Sequence, residues 1–320
     1  MNDLKYYEKE LAPSLMDRII LAAELYYIFH LTQNEIAERL GVSRPWVSKL
    51  LRKAEDLGIV RIEVTTYTLG VPEIEQKLIQ KYKLKNAKVI KTTPDGPGLI
   101  QCARAACHYF ISILKPTDSI GIAWGNSLAT MVDQLIPLSF PEVNVLPLVG
   151  GVGKDPALLS NQLAVNLAKS LGAKCSILHV PAIVSGKEEK EIFLNNPMVH
   201  TIIEKSQNVD IALFGIGDLR HSTICREGYI GSNEIDELES MGAVGDIALH
   251  FIDQEGHLVH HPIIDHIISS NITKTRESAR ITIGFALGLE KVPAIRAALM
   301  GQWLDVMITD LETANMLLKY

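Results

Sequence analysis

Apolar residues recur at steps of three and four through residues 15–29, where Met16, Ile19, Ile20, Ala23 and Tyr27 mark one face of a helix. Thr32 followed three residues later by Glu35 reads as a capping box opening a second helix, with Ile36, Ala37 and Leu40 inward and Gly41 as its break. Ser43 reads as the cap of a third helix running to about Leu57, with Val47, Leu50, Leu51 and Ala54 inward and Gly58 ending it. Residues 59–64 largely alternate apolar and polar, the pattern of a half-buried strand. Residues 71–82, with Pro72 near the start, read as a connecting helix. Ile74, Leu78 and Tyr82 share a face that packs on the larger domain or on a second subunit.

From Ala87 onward short apolar runs alternate with helical stretches. The runs are 88–90, 119–124, 143–149, 176–180, 210–215, 247–252, 280–285 and 306–309, and helices are expected over 99–114, 128–135, 159–171 and 292–299. That alternation predicts an α/β fold, a Rossmann-like domain with a largely parallel sheet covered on both faces. Ligands in such sheets sit at the carboxyl ends of the strands. The expected organisation is therefore residues 1–66 as a winged helix-turn-helix, 67–86 as a linker helix and 87–320 as the α/β domain.

Composition narrows the class. A chain of 320 residues with 47% hydrophobic and 21% charged positions has ample material for two folded domains. The formal net charge of −6 argues against general polyanion binding, so any nucleic-acid contact must come from a local basic surface. Cys102, Cys107, Cys175 and Cys225 form no C-x-x-C pair and read as reduced thiols of a cytosolic protein. The polar start of the chain does not resemble a signal peptide, and no apolar run reaches the ~20 residues of a membrane span, so a cytoplasmic protein is expected.

A local basic surface exists. Over residues 31–51 the small Ala37 lets two helices cross closely, Gly41 permits a left-handed turn, and Val42 and Val47 fill the space between helices. The outer side of the third helix carries Arg44, Ser48, Lys49, Arg52 and Lys53, with no acid from Ser43 to Ala54. This is the pattern of a helix-turn-helix whose second helix enters the major groove of duplex DNA. Arg44 and Trp46, nearest the helix start, are the candidate base contacts. Lys49, Arg52 and Lys53 are the candidate phosphate contacts. Gln33 and Ser43 complete the DNA-facing set, and Arg61 on the wing is available to the backbone.

In the second part of the chain, Ser119-Ile-Gly-Ile-Ala-Trp-Gly-Asn-Ser127, Leu148-Val-Gly-Gly-Val-Gly153, Leu213-Phe-Gly-Ile-Gly217, Gly242-Ala-Val-Gly-Asp-Ile247 and Gly288-Leu-Glu-Lys-Val-Pro-Ala-Ile-Arg-Ala-Ala-Leu299, followed by Ile308-Thr-Asp310, occur in that order. Together with the N-terminal module they resemble the SorC family of sugar-binding transcriptional regulators, from about Leu15 to the end of the chain. The resemblance implies a winged helix-turn-helix joined to a domain like the sugar-phosphate isomerase and deaminase fold. It also implies dimers or tetramers, operator DNA as a partner, and a phosphorylated sugar or related small phosphate as effector. Asp246 and Lys291 match the family's ligand-binding aspartate and lysine.

The residues themselves fit such a site. Gly125, Asn126 and Ser127 follow a strand and open a helix, where backbone amides and the Ser127 hydroxyl suit a phosphate. Gly151, Gly153, Gly215 and Gly217 permit close backbone approach, and Gln162, with Asn161, begins a helix and can bind hydroxyls or cap it. Asp246 can accept from sugar hydroxyls, and the Lys291 ammonium can pair with phosphate. His257, His260, His261 and His266, with Asp265, lie in a spacing that matches no known zinc pattern, and neither a metal nor a cofactor is expected. An enzyme of the isomerase or deaminase class, with Asp246 and Asp310 as acid–base groups, is the rival reading. A constitutive DNA-binding protein whose large domain only assembles subunits is a third.

Overall fold

The computed structural model describes residues 15–60, 70–93, 97–151, 160–222, 225 and 228–320. Its contacts divide into two compact units, Met1–Thr68 and Leu69–Tyr320. Arg61 and most of the expected wing strand, residues 59–64, lie outside the described residues.

Among the described residues the first unit holds three α-helices: α1 (Leu15–Ala23), α2 (Gln33–Leu40) and α3 (Arg44–Asp56). After α1 the chain continues as a π-helical segment, Glu24–Ile28. The inward face of α1 is Ile19, Ala22 and Ala23, whereas Met16 and Ile20, expected to point inward, are exposed. The capping box forms: Thr32 accepts from the Glu35 backbone N–H while Glu35 accepts from the Thr32 backbone N–H at 2.8 Å. Gly41 closes α2 with φ 59° and ψ 38°, a left-handed conformation that most side chains resist. Ser43 occupies the cap position of α3, but its hydroxyl makes no capping bond. Its carbonyl instead accepts from Trp46 and Val47 at 2.9 and 3.1 Å. Ile36 and Ala37 from α2 pack with Val47, Leu50, Leu51 and Ala54 from α3.

The second unit is an α/β domain. Its main sheet has seven parallel strands in the order β1 (Asn86–Ile90), β10 (Val306–Asp310), β9 (Ile281–Phe285), β5 (Ile211–Phe214), β2 (Ser119–Ile122), β3 (Asn144–Pro147) and β4 (Lys174–Cys175). The central strands β5 and β9 are buried along their whole length, as expected where helices cover both faces. Those helices include α4 (Pro72–Tyr82), α5 (Gly98–Ile113), α6 (Asn126–Asp133) and α7 (Ser160–Leu171). Leu78 and Tyr82 of α4 are buried in this unit, and the Tyr82 hydroxyl donates to Leu317 O at 2.7 Å. Phe110, Phe214 and Phe285 are fully buried, and each removes apolar surface worth roughly 1.5–3 kcal/mol.

Two expected strands differ. Residues 176–180 form no strand; β4 precedes them. The run 247–252 is a tight hairpin, β7 (Ala243–Ile247) returning through Ala248 and Leu249 into β8 (His250–Asp253). Both turn residues have positive φ, 48° and 66°. With the short β6 (Ile216–Asp218), these strands make a separate antiparallel sheet in the order β6-β7-β8.

The two poles of the main sheet differ in chemistry. At the amino ends of the strands, buried carboxylates tie neighbours together. Asp305 accepts from the Thr282 backbone N–H at 3.0 Å and pairs with Arg276 at 2.9 Å. Asp210 accepts from the Ser119 backbone N–H and hydroxyl at 2.8 and 2.7 Å, and Asp118 pairs with Arg280. At the carboxyl ends lies an open cavity. Asp305→Ala strips a buried acceptor from Arg276 and Thr282 at the stapled pole. It should lower stability by about 3 kcal/mol in urea denaturation, because the remaining donors lose their partner. A loss under 1 kcal/mol would contradict that account.

Candidate functional site

The order of the main sheet reverses at β2. Strands β3 and β4 lie on one side, and β5, β9 and β10 follow on the other. A crevice opens at the carboxyl ends of strands flanking such a reversal. Here it is a cavity of about 510 Å³, lined from β2 by Trp124, Gly125, Asn126 and Ser127 and from β5 by Gly215, Ile216 and Gly217. Asp246 and Ala248 enter from the β7 hairpin, and Leu287, Glu290 and Lys291 follow β9; Leu99, His221 and Ser222 complete the wall.

Each part has a local cause. Gly125 holds φ 116°, which turns the chain so that Asn126 and Ser127 begin α6 at the cavity. Ser127 is buried, and a helix start of this kind offers unpaired backbone amides that suit an anion. Gly217 makes room for Asp246: a Cβ there would lie 2.1 Å from Asp246 Oδ1. Gly245 is likewise required, since a Cβ would meet Gly217 O at 2.3 Å. The Asp246 carboxylate accepts from the Leu249 backbone N–H at 3.1 Å across the β7–β8 turn. Burial pushes its carboxyl up to about 6. The Leu249 hydrogen bond and the Lys291 charge pull it down, and Asp218 adds a smaller push upward.

Of the residues expected at a ligand site, Gly125, Asn126, Ser127, Gly215, Gly217, Asp246 and Lys291 come together around this cavity. Gly151 and Gln162 do not line it. Gly151 is bridged to Pro181, donating to Val180 O at 2.7 Å and accepting from Ala182 N–H at 2.9 Å. Gln162 donates to the Asn166 side chain on the helix surface at 2.8 Å. Asn161 clips its side chain to both backbone groups of Leu178. Gly153 lies outside the described residues. His221, Ser222, Leu99 and Glu290 were not singled out from the sequence. The first two follow the three-residue strand β6, whose pattern is too short to read. The histidines after β8 scatter: His261 meets Glu237 at 2.9 Å, His257 meets Asp253 at 3.3 Å, and His266 donates to Val184 O at 3.1 Å. Cys102 and Cys107 are free thiols that burial lifts to about 12, and Cys175 and Cys225 are free and half-buried.

In the first unit, Ser43, Arg44, Trp46, Ser48, Lys49, Arg52 and Lys53 are all exposed, and Trp46 shows 40% of its surface to solvent. Val47, Leu50, Leu51 and Ala54 take the opposite side of α3 into the core. Half-buried Gln33 lines a groove of about 720 Å³ with Arg44, Asn34, Thr32, His30 and the two tyrosines Tyr26 and Tyr27. The first acid beyond Ser43 is Glu55, which accepts from the Tyr27 hydroxyl at 2.8 Å. An exposed cationic helix face beside a capped turn is the geometry that lies in a DNA major groove.

Residues 68–319 match the family model of a sugar-binding domain, and residues 30–61 match a winged helix-turn-helix DNA-binding model. The chain belongs to the SorC family of sugar-binding transcriptional regulators. It is 32% identical over 315 residues to the sorbitol operon regulator of Klebsiella pneumoniae, covering 94% of this chain and 97% of that one. It is 31% identical to the deoxyribonucleoside regulator of Bacillus subtilis, covering 94% and 96%. The crystal structure of full-length SorC from Klebsiella pneumoniae superposes with a TM-score of 0.75 at 30% identity, covering 94% of this chain and 97% of that chain. No helix among the described residues is long and apolar enough to cross a membrane.

Asp246 makes a pH signature. Its carboxyl sits at about 6 in the folded chain against 3.8 as the reference value. Over that window the folded state keeps a proton the unfolded chain has released. Stability from this group is therefore full below about pH 4 and is lost as pH rises toward 6. His250, held near 4 by burial against 6.5, works in the opposite direction, losing stability as pH falls from 6.5. Asp246→Asn isolates the first effect. In paired urea denaturations the variant should exceed the parent by on the order of 2–3 kcal/mol at pH 7, with the gap closing near pH 4. A gap independent of pH would contradict the buried ionised carboxylate.

Proposed function

We propose that this chain is a cytoplasmic DNA-binding transcriptional regulator whose operator affinity is set by a phosphorylated sugar held in the cavity at the β2/β5 reversal. The observation that carries the reading is the composition of that cavity. A helix start at Asn126–Ser127 and the Lys291 ammonium suit a dianion, while the Asp246 carboxylate suits hydroxyl donors. A small molecule with phosphate at one part and hydroxyls at another satisfies both. The printed names of the relatives, a sorbitol operon regulator and a deoxyribonucleoside regulator, fit a carbohydrate-linked signal.

In this reading residues 1–66 bind double-stranded operator DNA, 67–86 connect, and 87–320 bind the effector and assemble a homodimer or homotetramer. Arg44 and Trp46 read bases, with Gln33, Ser43 and Ser48 beside them; Lys49, Arg52 and Lys53 meet phosphates. The effector favours one arrangement of the subunits over another, and the spacing of paired modules on half-sites changes with it. The protein acts as a binding protein and not as an isomerase or deaminase: a DNA-reading helix has no part in such a turnover, and fold alone assigns no activity.

Fluorescence anisotropy on operator DNA, titrated with a panel of sugar phosphates, tests the linkage. At least one ligand should change operator affinity 5- to 150-fold, about 1–3 kcal/mol of coupling. Lys291→Ala should abolish that response while leaving operator binding intact. If no sugar phosphate changes affinity, the reading fails. Arg52→Ala should weaken binding to all duplex sequences and reduce the slope of log affinity against log salt by about 1. An unaltered slope would remove Arg52 from the phosphate contacts.

A further inference from the structure

The cavity wall contains an oriented histidine that the reading above leaves without a role. His221 lines the cavity yet is widely exposed, its side chain showing 72% of its surface. An exposed histidine ordinarily samples several rotamers and both tautomers. This one is fixed. Its ring Nδ1 lies 2.7 Å from Asp218 Oδ1, and the same oxygen accepts the backbone N–H groups of His221 and Arg220 at 2.7 and 3.0 Å. A carboxylate can only accept, so Nδ1 carries the hydrogen. In the neutral ring Nε2 is then left with a bare lone pair.

The fold brings that ring and Asp246 to the lining of one cavity. Asp218 ends β6, and the β6–β7 ladder sets Gly217 opposite Asp246 and Asp218 opposite Gly245. Side chains on adjacent rungs point to opposite faces of a sheet, so it is the turn after Asp218, and not the ladder, that delivers His221 to the cavity that Asp246 lines. Arg220, the residue between Asp218 and His221 in the turn, is drawn outward by Asp236 and Glu239 on the helix Ser232–Ser240. Among the described residues of the turn, the His221 imidazole and half-buried Ser222 line the cavity, and the Ser222 hydroxyl donates to Cys225 Sγ at 3.3 Å.

We propose that His221, held in one tautomer by Asp218, is a specificity-determining contact of the effector site, accepting a hydrogen bond from one hydroxyl of a phosphorylated polyol through Nε2. Asp218 is a positioning residue that acts through the ring. The inference rests on the sugar-phosphate reading of the cavity and adds to it a class of ligand that carries a free hydroxyl at the β6 side. A ligand that lacks this hydroxyl leaves the acceptor unpaired, and selectivity of about tenfold follows for one such bond.

The test uses the full chain and isothermal titration with ribose 5-phosphate, glucose 6-phosphate and glucitol 6-phosphate, each beside its monodeoxy analogues, and inorganic phosphate alone. The parent protein should prefer one hydroxylated ligand over its matching deoxy analogue by about tenfold. His221→Ala should bring that ratio to within about twofold of unity by weakening only the hydroxylated ligand, with inorganic phosphate binding unchanged. Asp218→Ala should do the same in part. It should also shift the nitrogen-15 resonances of the His221 ring away from the single tautomer with hydrogen on Nδ1, a change that general loosening of the fold would not produce. Selectivity retained in His221→Ala, or a parent that reads no hydroxyl, overturns the assignment of His221 while the effector reading stands. A parent that binds none of the sugar phosphates overturns both.

Discussion

A parallel sheet whose strand order reverses at β2 cannot cover the carboxyl ends of the flanking strands with crossover helices. The gap between them is where Asn126, Ser127, Asp246 and Lys291 come together. The opposite pole shows what the chain does when stability is the only demand. There Asp118, Asp210 and Asp305 are each committed to neighbouring strands through backbone N–H groups, hydroxyls and arginines. At the cavity pole the buried carboxylate, Asp246, takes one backbone hydrogen bond within the protein and is left with capacity for more. In the proposed function the same residue type is a staple at one end of the sheet and a ligand contact at the other.

Holding that carboxylate in place has a cost written into the backbone. Gly217 and Gly245 lack side chains where a Cβ would collide with Asp246 or with Gly217 itself. Ala248 and Leu249 take left-handed conformations that non-glycine residues rarely adopt, and Leu249 is held there by its hydrogen bond to Asp246. The turn and the carboxylate are therefore one unit. A ligand that competes for Asp246 acts on a strained hairpin, which gives the site a physical route from occupancy to conformation.

Much of this was legible from the order of residues, and the exceptions have specific causes. The helix-turn-helix reads well because each of its determinants is local: a capping box, a left-handed glycine and an acid-free cationic face. The inward face of α1 does not, because Met16 and Ile20 are apolar yet exposed and the helix runs on into π geometry. The β7–β8 hairpin is hidden inside a continuous apolar run, since its turn uses alanine and leucine where sequence patterns look for asparagine and glycine. Gly151 shows the limit of reading glycines: it admits a close backbone neighbour, but that neighbour is the Val180–Ala182 segment and not a ligand. His221 escapes notice because the strand before its turn is three residues long.

In the proposed function one cavity and one DNA-binding helix are thermodynamically linked, and linkage is reciprocal. Equilibrium dialysis of a binding sugar phosphate, with and without saturating operator DNA, measures it from the side opposite to the operator titration. DNA should change the ligand's dissociation constant by the same factor by which the ligand changes that of DNA. Identical ligand affinity in the presence and absence of operator would contradict it.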